Sequence, residues 1–324
     1  MTRRSGFSRS RLPAAVVTFL LAHSGGASEA SIPLWVRSEA PATGCPVEIT
    51  MELAGGAAYR KQDIELKFSL KNQGEAACRF DESAFGPGSF TISDAAGRPP
   101  GPAAPPDPGE ALEVPGYGTM ERRVNLSRFH PKLARKRKLW QVTWRHGDRS
   151  VGPLPVIVIE PHRPGKDREA VVRTDMGTMI WQFLPEHAPK HVRRFVDLAR
   201  QGYYDGLSIH KAIPAVMAIG GAPGPDGSGG WERLLEPEIA TKLSVPLGMV
   251  GAMREDTSMT SEVVFFVTLA PADYMLGKQT FYARVTQGID LVARINRLEN
   301  RGDTGLKDAY LLLKPIRIES ISIR

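Results

Sequence analysis

Apolar and polar residues alternate along several short segments in the first half of the chain. In residues 64–70, single polar residues separate Ile64, Leu66, Phe68 and Leu70, which is the period of a half-buried β-strand. Similar segments recur at Val47–Leu53, 89–93, 120–126, 139–145 and 154–160. Short strands at this spacing, with turn residues between them, predict an immunoglobulin-like β-sandwich over residues 31–162, which we interpret as an accessory domain.

The pattern changes after the predicted sandwich. Residues 163–169 are polar and contain Pro and Gly, so they predict a linker. Beyond them, the apolar segments 170–174 and 178–183 flank a turn at residues 175–177, which predicts a β-hairpin. A second, separate unit therefore begins at about residue 170.

Two helices are predicted within this second unit. Pro189 is suited to a first helical turn, the apolar residues after it fall at helical spacing, and Gly202 can end the helix. Ile289–Ile295 has the pattern of a shorter second helix, and residues 317–323 that of a closing strand. The second unit, residues 170–324, is therefore mainly β with two helices.

Length and composition fit a two-domain globular protein. The chain has 324 residues, of which 42% are hydrophobic and 24% charged. Its first thirty residues differ from the rest, because arginines precede a short apolar run and small residues follow it. This order predicts a secretory signal peptide over residues 1–30, and hence export to a periplasmic or extracellular compartment. No later segment has the length of apolar sequence that a membrane span requires, so we expect no integral membrane segment after cleavage.

The charge balance indicates no specialised partner. The net charge of +7 is moderate for this length, and the basic residues 132–138 are best interpreted as a solvated surface segment. With no zinc-ligand or RNA-binding motif beside them, we expect no nucleic-acid binding. We expect neither a metal nor a cofactor. Cys45 and Cys78 are the two cysteines; in an exported protein they could form a disulfide, but the sequence leaves open whether they pair.

One segment carries most of the functional information. Residues 208–221 read S-I-H-K-A-I-P-A-V-M-A-I-G-G. This segment resembles the core motif of the cyclophilin-type peptidyl-prolyl isomerases, F-H-R-[IV]-[IV]-P-x-F-M-x-Q-G-G. Residues 188–206, 264–268 and 277–280 resemble further motifs of that family, in the same order. The resemblance implies that residues 170–324 form a closed eight-stranded antiparallel β-barrel capped by two helices.

The resemblance also implies the positions of a site. Lys211 occupies the position of the family's catalytic Arg, which donates hydrogen bonds toward the prolyl nitrogen of a twisted amide. His210 is interpreted as a packed structural residue and not as a base. The implied substrate-binding positions are Val216, Met217, Ile219, Met253, Arg254, Val264, Phe266, Tyr274, Met275 and Gln279.

Several of these positions differ from the family pattern. Ile219 and Val264 replace two glutamines, Val216 replaces a Phe, and Lys211 lacks the planar fork of Arg. We therefore expect a degenerate groove and reduced activity.

Three functions are consistent with these patterns. We expect a weak peptidyl-prolyl cis-trans isomerase that assists the folding of exported proteins, acts on proline-containing polypeptides and is a monomer. The alternatives are a catalytically degenerate module that binds prolyl peptides or acts as a chaperone, and a purely structural scaffold.

Overall fold

The computed structural model describes residues 32–38, 44–103, 110–224, 226–254, 258–306 and 308–324. The predicted signal peptide lies outside these residues. The described strands and α-helix of the first half are β1 (Trp35–Ser38), β2 (Val47–Leu53), β3 (Ala58–Tyr59), β4 (Glu65–Asn72), β5 (Cys78–Phe80), β6 (Phe90–Ser93), β7 (Leu112–Val114), β8 (Thr119–Asn125), α1 (Leu126–Phe129), β9 (Leu139–His146) and β10 (Arg149–Ile159).

The second half begins at the next strand. Its elements are β11 (Glu169–Thr174), β12 (Gly177–Phe183), α2 (Pro189–Gln201), β13 (Ser208–Ile213), β14 (Met217–Gly220), β15 (Leu234–Leu235), β16 (Met249–Ala252), β17 (Thr260–Ser261), β18 (Phe265–Thr268), β19 (Thr280–Gln287), α3 (Ile289–Ile295) and β20 (Leu311–Ile323). Short 3₁₀ helices lie at Pro87–Ser89, Leu133–Arg135 and Asp273–Met275.

The first half contains two four-stranded sheets that share one apolar core. Their strand orders are β1-β2-β4-β8 and β3-β10-β9-β6. Phe68 of the first sheet meets Trp144 of the second, with ring centroids 5.8 Å apart, and neither side chain is exposed. The predicted mainly β fold is confirmed, while an immunoglobulin-like topology remains a prediction.

A disulfide joins Cys45, just before β2, to Cys78 at the start of β5. Their Cα atoms are 5.7 Å apart, although the residues are 33 positions apart in sequence. The bond therefore ties the edge formed by β5 to the first sheet of the sandwich.

The second half folds as a closed barrel, as the resemblance implied. Its strand order is β11-β12-β19-β16-β18-β14-β13-β20, and all its pairs are antiparallel. One row of small side chains faces the interior across five neighbouring strands: Ala212, Ala218, Val267, Val250 and Ala283. Small residues at these positions let the opposite walls of the barrel approach each other.

The predicted hairpin and helices are present. Thr174 pairs with Gly177 across the turn, and α2 begins at Pro189. Gly202 follows α2 with a φ of 76°, the left-handed conformation that favours glycine after a helix. The second helix, α3, has the bounds predicted from the sequence.

Polar side chains of α2 dock the barrel onto the sandwich. Arg194, Asp197 and Gln201 lie on one side of the helix and are all buried. Arg194 Nη1 and Gln201 Nε2 donate to the carbonyl oxygen of Gly56, at 3.0 and 3.2 Å. The hydroxyl of Tyr59 donates to Asp197 Oδ2. Since Gly56 and Tyr59 belong to the sandwich, the two halves are joined by a polar interface.

The segment between the halves is held against the same helix. Arg200 Nη2 donates to Asp167 Oδ1 at 2.6 Å, and Arg200 Nη1 donates to the carbonyl oxygens of Glu160 and Pro161. Asp167 is itself buried. The residues predicted as a linker therefore have a defined position on α2.

Across the described ranges, no helix combines the length and the apolar character that a bilayer crossing demands.

Candidate active site

Three predicted site residues lie side by side on the outer face of the barrel. Lys211 of β13 pairs with Ile219 of β14, and Ile219 pairs with Phe266 of β18. Directly opposed residues on neighbouring strands project to the same face of a sheet. The row is therefore one half-buried cation followed by two buried apolar side chains.

A β-bulge at His210 places Lys211 on this face. Ile209 pairs with Gly220 and Lys211 with Ile219, so two steps along β13 match one step along β14. Without the extra residue, Ile209 and Lys211 would project to the same face, because side chains alternate along a strand. Ile209 is fully buried, whereas Lys211 is half-buried on the opposite face.

The bulge also buries His210. Its side chain is 3% exposed, and its ring packs so closely on Gly227 that a Cβ at that position would collide with it. Burial, with a further contribution from the charge of Lys211, lowers the pKa of His210 to about 4. The imidazole is therefore neutral at pH 7, which fits the structural role predicted for this residue.

Phe266 is held in one orientation by its neighbours. A Cβ at Gly251, its partner on β16, would collide with the phenyl ring, so the ring lies across the glycine backbone. The ring of Phe281 contacts it edge-on, with centroids 5.7 Å apart. Since Phe266 is completely buried, it is the apolar floor at one end of the row and is not a freely accessible surface. The sequence analysis did not identify Gly251, although a glycine between apolar residues is the signal of such a close approach.

The turn between β13 and β14 carries Val216, and Met217 follows it as the first residue of β14. Ala215 has a φ of 56°, and its amide donates to Asn296 Oδ1 at 2.7 Å. The carbonyl oxygen of Val216 accepts from the amide of Leu269 at 3.0 Å. These bonds fix the turn, leaving Val216 half-buried and Met217 buried. Asn296 was not predicted as part of the site, because it follows α3 and is remote in sequence.

The 3₁₀ helix and the loop after it carry Tyr274, Met275 and Gln279. Met275 is buried, whereas Tyr274 projects outward with 58% of its side chain exposed. The carbonyl oxygen of Met275 accepts from the amides of Lys278 and Gln279, each at 3.1 Å. The Oε1 atom of Gln279 is buried and receives no hydrogen bond within the described part of the chain.

Met253, Arg254 and Val264 form one edge of the candidate site. The amide of Met253 donates to the carbonyl oxygen of Val264 at 2.9 Å, and its carbonyl oxygen accepts from the amide of Ser261. The amide of Met253 is thus already used within the chain, and only its half-buried side chain is left to meet a ligand. Arg254 Nη1 donates to the carbonyl oxygen of Lys278 at 3.3 Å, which ties this edge to the loop before Gln279.

The arrangement offers a cation beside an apolar surface. It provides an ammonium group and buried apolar side chains, and the described residues contain no cluster of metal-ligating side chains. Such a surface can bind an extended chain with an apolar ring and place a positive charge near one of its amides.

Comparison with known proteins agrees with this geometry. The family profile described as "Cyclophilin type peptidyl-prolyl cis-trans isomerase/CLD" matches residues 170–323. A peptidyl-prolyl cis-trans isomerase-like 1 protein of Mus musculus is 36% identical over 145 residues, which are 44% of this chain and 87% of that protein. The protein of the same name from Homo sapiens is 35% identical with the same coverage.

A solved structure also aligns with the barrel. It is a cyclophilin type peptidyl-prolyl cis-trans isomerase of Cryptosporidium parvum, determined in the presence of the dipeptide Ala-Pro. The alignment covers 48% of this chain and 99% of that one, with 20% sequence identity and a TM-score of 0.44.

Proposed function

Because this chain belongs to the cyclophilin-type peptidyl-prolyl cis-trans isomerase family, we propose that it isomerises X-Pro bonds with Lys211 as the polar donor. The observation that carries the proposal is the row formed by Lys211, Ile219 and Phe266. It puts the ammonium group on the same face as an apolar floor, where a prolyl ring and its amide would lie together.

The chemistry requires no covalent intermediate. Resonance in the peptide bond sets a rotation barrier of roughly 18–20 kcal/mol. A donor directed at the prolyl nitrogen stabilises the twisted amide more than the planar one, and so lowers the barrier. Lys211 supplies the charge but has a single donor head on a flexible stem, whereas Arg has a rigid fork. Ile219 and Val264, both buried and apolar, offer no hydrogen bond to hold it. We therefore propose a weak catalyst.

We propose export as the cellular setting. The basic and apolar order of residues 1–30 and the bond between Cys45 and Cys78 both support an oxidising, extracytoplasmic compartment. Uncatalysed prolyl isomerisation takes roughly 10–100 s, slow enough to limit folding, so a weak catalyst would help exported clients.

Exchange spectroscopy tests the proposal directly. Cis-trans exchange of a short X-Pro peptide is measured by NMR with wild-type protein, Lys211→Ala and Lys211→Arg, and with Lys166→Ala as a control at an exposed lysine outside the barrel. We expect Lys211→Ala to lower the catalysed rate by about 100-fold, or to the uncatalysed rate if that is reached first. Lys211→Arg should give only a small gain, because the apolar neighbours cannot hold the guanidinium.

A second function is favoured by one observation, the lack of polar side chains at Ile219 and Val264. A groove of this kind could hold a prolyl peptide without catalysing its isomerisation. Shifted peptide resonances with no accelerated exchange in any variant would establish that function and contradict the first. A gain of several hundred-fold in Lys211→Arg would show that the apolar side chains of Ile219 and Val264 do not limit the donor.

A further inference from the structure

A chain of buried and half-buried charged side chains crosses from the sandwich to the edge of the candidate site. Glu52 of β2 forms an ion pair with Arg233 at 3.1 Å, and Arg233 forms one with Glu262 at 3.2 Å. Arg194 of α2 pairs with the same Glu262 oxygen at 2.8 Å. The four side chains are between 9% and 20% exposed, so solvent screens these pairs much less than pairs on the surface.

Glu262 is joined to the groove through the backbone. It lies two residues before Val264, whose carbonyl oxygen accepts from the amide of Met253. The hydroxyl of Ser261 accepts from the amides of both Val263 and Val264, at 3.2 and 3.0 Å. A displacement of Glu262 would therefore also displace the backbone of Val263 and Val264 at the edge of the site.

Arg233 is held to the same segment by a second set of contacts. The amide of Glu262 donates to the carbonyl oxygen of Arg233, and the next residue, Leu234, pairs with Ser261. Gly230 packs against the side chains of Val263 and Val264. These contacts tie residues 230–235 to residues 260–264, and Glu52 is the sandwich residue to which the ion-pair chain attaches the two segments.

We propose that Glu52 of the sandwich is a positioning residue for the groove, acting through Arg233 and Glu262 on Val263 and Val264. This inference builds on the proposed isomerase function and assigns the sandwich a part in binding the substrate peptide. The affected edge adjoins β18, and one strand, β14, separates β18 from the strand β13 that carries Lys211. We therefore assign the contribution of Glu52 to holding the peptide and not to rotating its amide.

A separate anchor limits the size of the effect. His191 of α2 contacts Glu238 Oε2 through Nδ1 and Thr260 Oγ1 through Nε2, both at 2.7 Å. This anchor belongs to the barrel and holds the start of the same segment. Loss of Glu52 should therefore loosen the groove edge without releasing it.

The test uses two carboxylates that share one lysine. Lys67 lies 3.8 Å from Glu52 and 2.7 Å from Glu121, on the two strands beside its own, but Glu52 alone of the two pairs with Arg233. Glu52→Gln and the matched control Glu121→Gln are made in the full chain. We expect Glu52→Gln to shift the amide resonances of Met253, Glu262, Val263 and Val264, and to raise the KM for an X-Pro peptide about three- to ten-fold at unchanged kcat.

Further variants separate positioning from stability. Arg233→Lys, which keeps the charge but can reach only one of the two carboxylates, should fall between wild type and Arg233→Met. Unchanged resonances at these four amides in Glu52→Gln would overturn the inference, as would equal shifts in Glu121→Gln. If no variant isomerises peptide, the proposed function fails, while the amide shifts still decide whether the sandwich positions the groove edge.

Discussion

His210 shows how one buried side chain can make this protein sensitive to pH. Its neutral form is enclosed by the bulge and by Gly227, and its pKa of about 4 lies below the ordinary value of 6.5. As pH falls, the unfolded chain takes up this proton before the folded chain does. The protonation of His210 therefore leaves the free energy of unfolding unchanged above pH 6.5 and lowers it progressively between pH 6.5 and pH 4.

Replacing the imidazole should remove this dependence. We expect the stability difference between wild type and His210→Gln to shrink by about 2 kcal/mol between pH 7 and pH 5. Urea unfolding of both proteins at several pH values measures it. His187→Gln, at a more exposed histidine, should keep the wild-type profile. A difference that does not change with pH would contradict the explanation.

At the scale of elements, α2 is buried on its polar side as well as on its apolar side. Its carboxylate Asp197 is 3% exposed, and burial raises the pKa of this group despite the hydrogen bond from Tyr59. The turn after β2 fits against the helix because Gly56 has a φ of 71° and has no side chain there. A Cβ at Gly56 would lie 2.5 Å from Arg194 Nη1.

Two adjacent glycines allow a matched test of this contact. Gly56→Ala should lower the free energy of unfolding by about 1–3 kcal/mol, because it combines an unfavourable φ with a clash at the helix. Gly55→Ala, where a Cβ meets nothing within 4 Å, should change it by less than about 0.5 kcal/mol. Equal effects in chemical denaturation would show that the helix contact is unimportant.

Single elements were largely predictable from the sequence, because their patterns are local. The alternation of apolar and polar residues predicted the bounds of β2 correctly, and Pro189 and Gly202 marked the ends of α2. The predicted strand at 154–160 is longer in the structure, since β10 begins at Arg149. Gly152 and Pro153 lie within β10, where a shift of register between Val151 and Leu154 accommodates them.

The site was less predictable, because it depends on contacts between distant residues. The alternation of β13 alone gives no sign of the bulge that turns Lys211 outward. Arg194 and Glu262 are residue types that usually lie on a solvated surface. Their low exposure is explained by the position of the sandwich, which the sequence does not show. The family resemblance supplied the site positions, whereas the ion-pair chain and the support from Asn296 required the structure.

At the scale of the whole molecule, the sandwich and the barrel are joined by many polar contacts, and the disulfide stabilises the sandwich side. A crosslink between residues 33 positions apart restricts the unfolded chain, and this loop length corresponds to about 3–4 kcal/mol in the chain-entropy model. Its loss should therefore reduce the stability of the domain on which the groove edge depends.

We expect the double variant Cys45→Ser and Cys78→Ser to lose about 3–4 kcal/mol of unfolding free energy. Urea unfolding followed by circular dichroism measures the loss. Wild-type protein unfolded with a reductant should show the same loss, and the double variant should not respond to the reductant. Identical stability of oxidised and reduced wild type would contradict the expectation.

The anchoring of the segment between the two halves bears on the resistance of the chain to proteolysis. Arg163, Lys166 and Arg168 are exposed and would each suit a trypsin-like protease. Such enzymes cleave extended, mobile backbone, but here the amides of Lys166 and Asp167 donate to the carbonyl oxygen of Arg163, and Arg200 holds Asp167. Cleavage requires local opening of this segment, so the cleavage rate follows the stability of its contacts with α2. The barrel and the sandwich therefore stay covalently joined for as long as these contacts hold.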